Sequence, residues 1–249
     1  MSDMDQQTHK FIHLHVHSAY SLAEGAVPVK SLVKKAKGMN MPAIAITDSG
    51  NLFGAMEFSL EASKAGLQPI LGSRVLVGEE EHHLILLVQN QQGYLNLSEI
   101  LSRSFTESDG LSKPFVKWDC LSEFSAGLIC LSGGVNGPIG QALVHKQKDE
   151  AEENTKLLKK IYGDRFYIEL QRHDDPTEDA IEDGFIELAY AHDIPLVATN
   201  DCYFPTPDFY EAHDALLCIA DGRYISEDDR RRVTRHHYLK SASEMVELF

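Results

Sequence analysis

The chain is poor in cysteine. Cys120, Cys130, Cys202 and Cys218 are scattered through 249 residues, and no two form a C-x-x-C pair. That distribution argues against a disulfide-stapled scaffold and against a structural zinc cluster, and it fits a reducing, cytoplasmic setting. Positive charge is also short, with 23 Lys and Arg against 38 Asp and Glu and a formal net charge of −15. A domain that grips a phosphate backbone unaided is usually basic. The balance therefore argues against independent DNA binding and is compatible with a protein partner. The one basic cluster, Arg230-Arg-Arg-Val-Thr-Arg235, directly follows Glu227-Asp-Asp229 and reads as a solvated, internally paired stretch. No apolar run approaches the length of a bilayer crossing, so no membrane segment is expected. The opening Met1-Ser-Asp-Met-Asp-Gln-Gln7 lacks the basic and apolar regions of a signal peptide. No G-x-G-x-x-G follows a strand and no G-x-S-x-G is present, which removes the usual dinucleotide site and a nucleophile elbow.

What remains is a regular alternation of short apolar strands and amphipathic helices. Strands are expected at 11–17, 43–47, 69–77, 83–89, 128–132, 166–170 and 195–199. Helices are expected at 28–38, 52–65, 91–104, 136–146, 149–162, 177–192 and 207–220. Pro28 near a first turn and Gly38 and Gly66 after last turns support the helix limits. Buried five-residue strands alternating with helices indicate an α/β protein with a helix-covered, mostly parallel sheet. Seven such units favour a closed barrel over an open sheet, although a doubly wound sheet satisfies the same pattern. The last residues, Tyr238 to Phe249, begin an amphipathic helix capped by Ser241 or Ser243. An ending on Leu-Phe suggests a piece of a longer chain. The expected division is a tail over 1–10, one domain over 11–237, and the start of a connection over 238–249.

The most informative stretch is Phe11-Ile-His-Leu-His-Val-His-Ser18. Strict alternation would put His13, His15 and His17 on one face and Ile12, Leu14 and Val16 on the other. Buried imidazoles are costly unless hydrogen-bonded or coordinated, and neutral imidazole is the commonest metal ligand. In an α/β barrel the reactive groups follow the strands, at the C-terminal rim. That rim would collect His15, His17, Glu24, Asp48, Ser49, Ser73, His83, Ser132, Gly133, Gly134, Glu169, Gln171, His173, Asn200, Asp201 and Tyr203. Its histidines and carboxylates suit zinc, manganese or a two-metal cluster, which would activate water and clamp a phosphate ester. Taken singly, Asp48 before Ser-Gly-Asn, Asp201 after Asn200 and Glu24 before Gly25 also suit ordinary turns and caps.

Four segments carry a resemblance. They are His15-Val-His17-Ser-Ala-Tyr-Ser-Leu-Ala-Glu-Gly25, Ile46-Thr-Asp-Ser-Gly-Asn-Leu-Phe-Gly54, His83 through Leu97, and Ala198-Thr-Asn-Asp201. In order, they resemble the polymerase and histidinol phosphatase (PHP) domain, and more closely its form at the N-terminus of bacterial replicative DNA polymerase III alpha subunits. The Gly93-Tyr-Leu-Asn-Leu97 run and Tyr238-Leu-Lys-Ser241 point to the polymerase branch. The resemblance implies a distorted (β/α)7, TIM-like barrel with up to three metals. It places ligands at His15, His17, Glu24, Asp48, His83 and Asp201. It also implies degraded ligand positions at Ser49, Ser73, Gly134 and Tyr203. By this reading the cluster is about half lost. A remnant could hold one divalent ion (Zn, Mn or Mg), hydrolysis would be weak or absent, and the domain would serve structure and docking. Implied partners are the polymerase core of the same chain and the proofreading exonuclease subunit, with DNA reached through the parent assembly. The competing implication is an active metal-dependent phosphoesterase or 3′–5′ exonuclease.

Overall fold

The computed structural model describes residues 10–108 and 113–249, so most of the expected tail at 1–10 lies outside the described residues. A sheet runs in sequential order through β1 (Ala43–Ile46), β2 (Gln68–Val77), β3 (His82–Val88), β4 (Leu128–Leu131), β5 (Phe166–Leu170) and β6 (Leu196–Ala198). The helices, in chain order, are α1 (Val29–Gly38), α2 (Ala55–Ala65), α3 (Gln91–Thr106), α4 (Trp118–Glu123), α5 (Pro138–Val144), α6 (Lys148–Tyr162), α7 (Pro176–Ala191), α8 (Tyr210–Asp221) and α9 (Ala242–Leu248). Most limits fall within a few residues of those expected. The short α4 was not foreseen. Helix α2 starts late because Leu52 to Gly54 form the turn that enters it. A Cβ at Gly54 would meet the Tyr20 ring at 2.8 Å, so only glycine fits that entry.

The barrel is distorted in two ways. First, β2 and β3 pair antiparallel, as do β3 and β4, whereas β1/β2, β4/β5 and β5/β6 are parallel. The β2–β3 link is too short for a helical crossover, so the chain turns back as a hairpin. Second, the expected strand 11–17 is not a continuous strand. It bends at His15 and contributes a single bridge, Val16 to Cys202. Its bonds nevertheless close the ring. On one side Ala45 N–H donates to His13 O and Thr47 N–H to Val16 O; on the other His17 N–H donates to Cys202 O and Cys202 N–H to His15 O. The Val16 N–H goes to the Thr47 hydroxyl at 2.8 Å instead of a strand carbonyl, which is where regular pairing lapses.

Inside the ring, Ala45, Ile85, Leu87 and Leu131 pack with Leu14, Ile70 and Val197. On β3 the alternation is clean. Ile85 and Leu87 point inward, while Leu84 and Leu86 join the layer beneath the helices. His83 shares the inward parity, which aims it at the mouth. The largest core, around Leu86, Leu97, Ile100, Leu121, Leu158 and Phe166, lies between sheet and helices. Truncating one such leucine to alanine should cost about 2–5 kcal/mol.

The bend at His15 separates His13 from the other two imidazoles, against the expected common face. His13 is fully buried, and its Nε2–H donates to Lys240 O at 2.9 Å. That carbonyl belongs to the strap leading into α9. The strap crosses the same seam: Leu239 N–H donates to Phe204 O, and Ser241 caps α9 in a reciprocal capping box with Glu244. Burial lowers the His13 pKa to about 4, despite the bond to the Lys240 carbonyl. The folded chain therefore binds fewer protons here than the unfolded chain, so this contribution is complete above the unfolded value near 6.5 and is lost as pH falls toward 4. Over that window the loss should approach about 1.4 kcal/mol per pH unit. Thermal unfolding of His13→Gln should lose that share of acid sensitivity; matching pH slopes for variant and parent would contradict it.

Candidate metal centre

At the barrel mouth, the bend in the first segment turns two imidazoles toward the loop after β6. His15 Nε2 lies 3.3 Å and His17 Nε2 3.2 Å from the same oxygen, Asp201 Oδ1. All three residues are buried, and none of these three atoms has a hydrogen-bond partner among the described residues. An unsatisfied buried polar atom costs about 1–3 kcal/mol, so three that face one another mark a place for a cation. They form a group able to hold a metal ion, with ligand atoms within 4.8 Å of one another. Two ring nitrogens, one carboxylate oxygen and open positions fit a single zinc or manganese ion.

The atoms behind the imidazoles fix their orientation. His15 Nδ1–H donates to Glu169 Oε1 at 3.0 Å. Thr199 Oγ donates to the same oxygen at 2.5 Å, and the Glu169 N–H donates to Ser132 Oγ at 2.9 Å. Residues at the ends of β4, β5 and β6 thus lock one tautomer, leaving the Nε2 lone pair toward Asp201. His17 Nδ1–H donates to Ser21 Oγ at 2.9 Å, whose own proton goes to Asp48 Oδ1 at 2.6 Å. Burial alone would lower the His15 pKa, but Asp201 and Glu169 outweigh it and raise the value. His17 is lowered by burial and by the Arg74 charge. Burial would raise Asp201, yet the two imidazoles hold it well below the usual carboxylate range.

The rest of the mouth is closed by Arg74, a residue outside the expected ligand set. Its guanidinium is buried. Nη1–H donates to Tyr203 OH at 2.7 Å, while Nη2–H groups donate to Glu24 Oε2 at 2.5 Å and Ser49 Oγ at 2.7 Å. Ser49 Oγ donates in turn to Glu24 Oε2 at 2.5 Å. Burial would lower the Arg74 pKa, but its partners raise it. Burial would raise Glu24; Arg74 and the Ser49 hydroxyl pull it below its ordinary value.

Of the residues expected to ligate, the structure brings His15, His17 and Asp201 together. Glu24 is engaged by Arg74. Asp48 is spent on the 18–21 loop, where it accepts from Ser18 N at 2.7 Å, Ser18 Oγ at 2.8 Å and Ser21 Oγ at 2.6 Å. His83 lines the adjoining cavity of about 670 Å³, apart from the group of three. Burial and Arg74 drop its pKa to about 3, so its ring is neutral. The positions expected to be degraded are each filled in a definite way. The Ser73 hydroxyl donates to Asp48 O at 2.7 Å. At Gly134 a Cβ would meet the Gln171 amide at 2.1 Å, so Gln171 occupies that space. Tyr203 stacks flat on His17, ring centroids 4.5 Å apart. Arg74 had a signal in the sequence: it is the one charged residue within the run Pro69 to Val77, and a charge in a buried strand needs a partner.

The PHP domain profile matches residues 13–173, well over half of the chain. The chain belongs to the PHP domain family. Over its whole length it is 48% identical to the DNA polymerase III subunit alpha of Caulobacter vibrioides, of which it covers 22%. It is 40% identical over 96% of its length to the same subunit of Rickettsia bellii, covering 21% of that protein. The chain therefore spans about a fifth of the length of these curated relatives. Among solved structures, it shares the fold of a Bifidobacterium adolescentis protein named as a metal-dependent phosphoesterase. The TM-score is 0.51 at 11% identity, covering 77% of this chain and 87% of the other. Among the described residues no helix is long and apolar enough to cross a membrane.

For this PHP site, calorimetric titration with Zn²⁺ should give one equivalent, none for Asp201→Asn, and about 10–100-fold weaker binding for Glu169→Gln. Unaltered affinity in Glu169→Gln would show that His15 needs no such support.

Proposed function

We propose that this chain is the PHP module of a bacterial replicative DNA polymerase alpha subunit, acting in DNA replication as a structural and docking element with little or no hydrolytic activity of its own. The observation that carries the reading is the 48% identity to such a subunit along the entire chain. Nucleotidyl transfer by the DNA-directed polymerase would belong to parts of the polypeptide beyond these residues. Residues 11–237 then form the barrel, and 238–249 lead from it toward the polymerase core. The core and the proofreading exonuclease subunit are its proposed partners, with DNA met through the assembly. The net charge of −15 supports protein rather than DNA contact for this module. A cytoplasmic location follows from the same role.

The site residues support the non-hydrolytic reading. His15, His17 and Asp201 would hold one divalent ion, zinc or manganese by donor type and magnesium less readily, since magnesium prefers oxygen ligands. Bound there, such an ion supplies Lewis acidity and lowers the pKa of water. The chain's own groups offer little else to a phosphoester. Asp48 is saturated by hydroxyl and amide donors, Glu24 is paired to Arg74, and Ser49 and Tyr203 spend their polar atoms on that guanidinium. No free carboxylate among these is poised to act as general base.

Calorimetry with the purified exonuclease subunit should give stoichiometric binding at micromolar concentrations. With Mn²⁺ present, release of nucleotides from DNA 3′ ends should not exceed that of His17→Ala. Absence of binding would count against docking, and turnover lost in His17→Ala would favour the phosphoesterase or exonuclease alternative.

A further inference from the structure

We propose that Arg74 is a resident cation standing in for divalent ions of a fuller PHP cluster, so that the second half of the barrel mouth is cross-linked without metal. What a bridging metal does in such a cluster is gather side chains from separate loops and cancel their charge. The Arg74 guanidinium does both. It rises from β2 and joins Glu24 from the first loop, Ser49 from the loop after β1, and Tyr203 from the loop after β6. All three partners stand where the family resemblance places ligands, intact at Glu24 and replaced at Ser49 and Tyr203.

The charge count fits. Glu24 is half-buried beside a guanidinium that cannot deprotonate in a protein, and the pair is further braced by Arg231, 3.5 Å from Glu24 Oε1. The backbone of Glu24 is held as well, its carbonyl accepting from His213 Nε2–H at 2.7 Å. A covalently tethered cation differs from an ion in three respects. Its occupancy is independent of metal supply. It carries no exchangeable water and so generates no hydroxide. Its positive charge repels any second ion near Glu24. These residues thus do not fit a two- or three-metal cluster, while His15, His17 and Asp201 remain available for one ion. Arg74 plays this part in the barrel whether or not the chain serves a polymerase.

The test is a Mn²⁺ titration and a thermal melt in chelator of the full chain and its variants. The parent should bind one equivalent of Mn²⁺ and lose little Tm in chelator. Arg74→Ala should melt lower than the parent in chelator, because half-buried Glu24 loses its nearest counter-charge and Ser49 and Tyr203 lose their shared donor. It should recover part of that loss in low-millimolar guanidinium, which a same-strength sodium salt does not reproduce, and it should accept a second equivalent of Mn²⁺. Arg74→Lys, keeping the charge, should remain folded with one equivalent. If Arg74→Ala proves too unstable to purify, Arg74→Ala combined with Glu24→Gln should restore folding by removing both charges. Two or more tight equivalents of Mn²⁺ in the parent would overturn the proposal. So would an Arg74→Ala chain with the parent's Tm in chelator, or a double variant no more stable than Arg74→Ala.

Discussion

A carboxylate wholly or partly removed from water needs a positive partner, and the mouth of this barrel is arranged around two carboxylates, buried Asp201 and half-buried Glu24, that meet that need differently. Asp201 faces two imidazoles at 3.2 and 3.3 Å. Glu24 faces a guanidinium at 2.5 Å. The imidazoles are conditional partners, since their charge depends on protonation or on a shared ion. The guanidinium is unconditional. Because a buried pair gains stability only when its remaining donors and acceptors are also satisfied, Arg74 draws Ser49 and Tyr203 into its sphere. Tyr203, so held, lies flat against His17.

The same economy of donors governs the loop between the first segment and α1. Asp48 could in principle have faced the mouth. Instead it accepts three bonds from Ser18 and Ser21, and the Ser21 oxygen then receives the His17 Nδ1 proton. An acidic residue expected to bind metal thus acts one bond further back: it orients the serine that orients the histidine. Glu169 plays the equivalent part for His15. The His15 and His17 rings are held by separate relays, one from Glu169 on β5 and one from Asp48 after β1, which aims both Nε2 atoms at one point.

Much of this was legible in the sequence. Alternation of short apolar strands with capped helices gave a barrel, and motif order placed His15, His17 and Asp201, which the fold brings together, at its mouth. Four things were not, each for a physical reason. The hairpin between β2 and β3 is a matter of strand direction, and periodicity has no sign. His13 left the site because the Val16 amide found the Thr47 hydroxyl, a tertiary bond that breaks the alternation locally. Glu24 and Asp48 are carboxylates in suitable loops, and residue type alone cannot tell a ligand from an acceptor already filled by a neighbour. Arg74 was visible as a charge inside an apolar strand, but its meaning required knowing that β2 delivers it to the same place as Glu24, Ser49 and Tyr203.

The strap from 236 to 241 ties the Asp201 loop to α9. His237 Nδ1–H donates to the carbonyl of Asp201 at 3.0 Å, and the Asn200 side chain donates to Tyr238 O at 2.8 Å while accepting from Lys240 Nζ at 2.5 Å. Lys240 is almost fully buried, with an amine whose pKa is lowered by burial, and its bonded partners are neutral oxygens of Asn200 and His236. Neutral acceptors do not compensate a buried ammonium by charge, only by direction and distance. The strap is therefore held by geometry: it fits only while Asn200 and Asp201 keep the backbone path that also aims Asp201 Oδ1 at His15 and His17. The aim of Asp201 Oδ1 and the packing of α9 thus draw on one stretch of backbone.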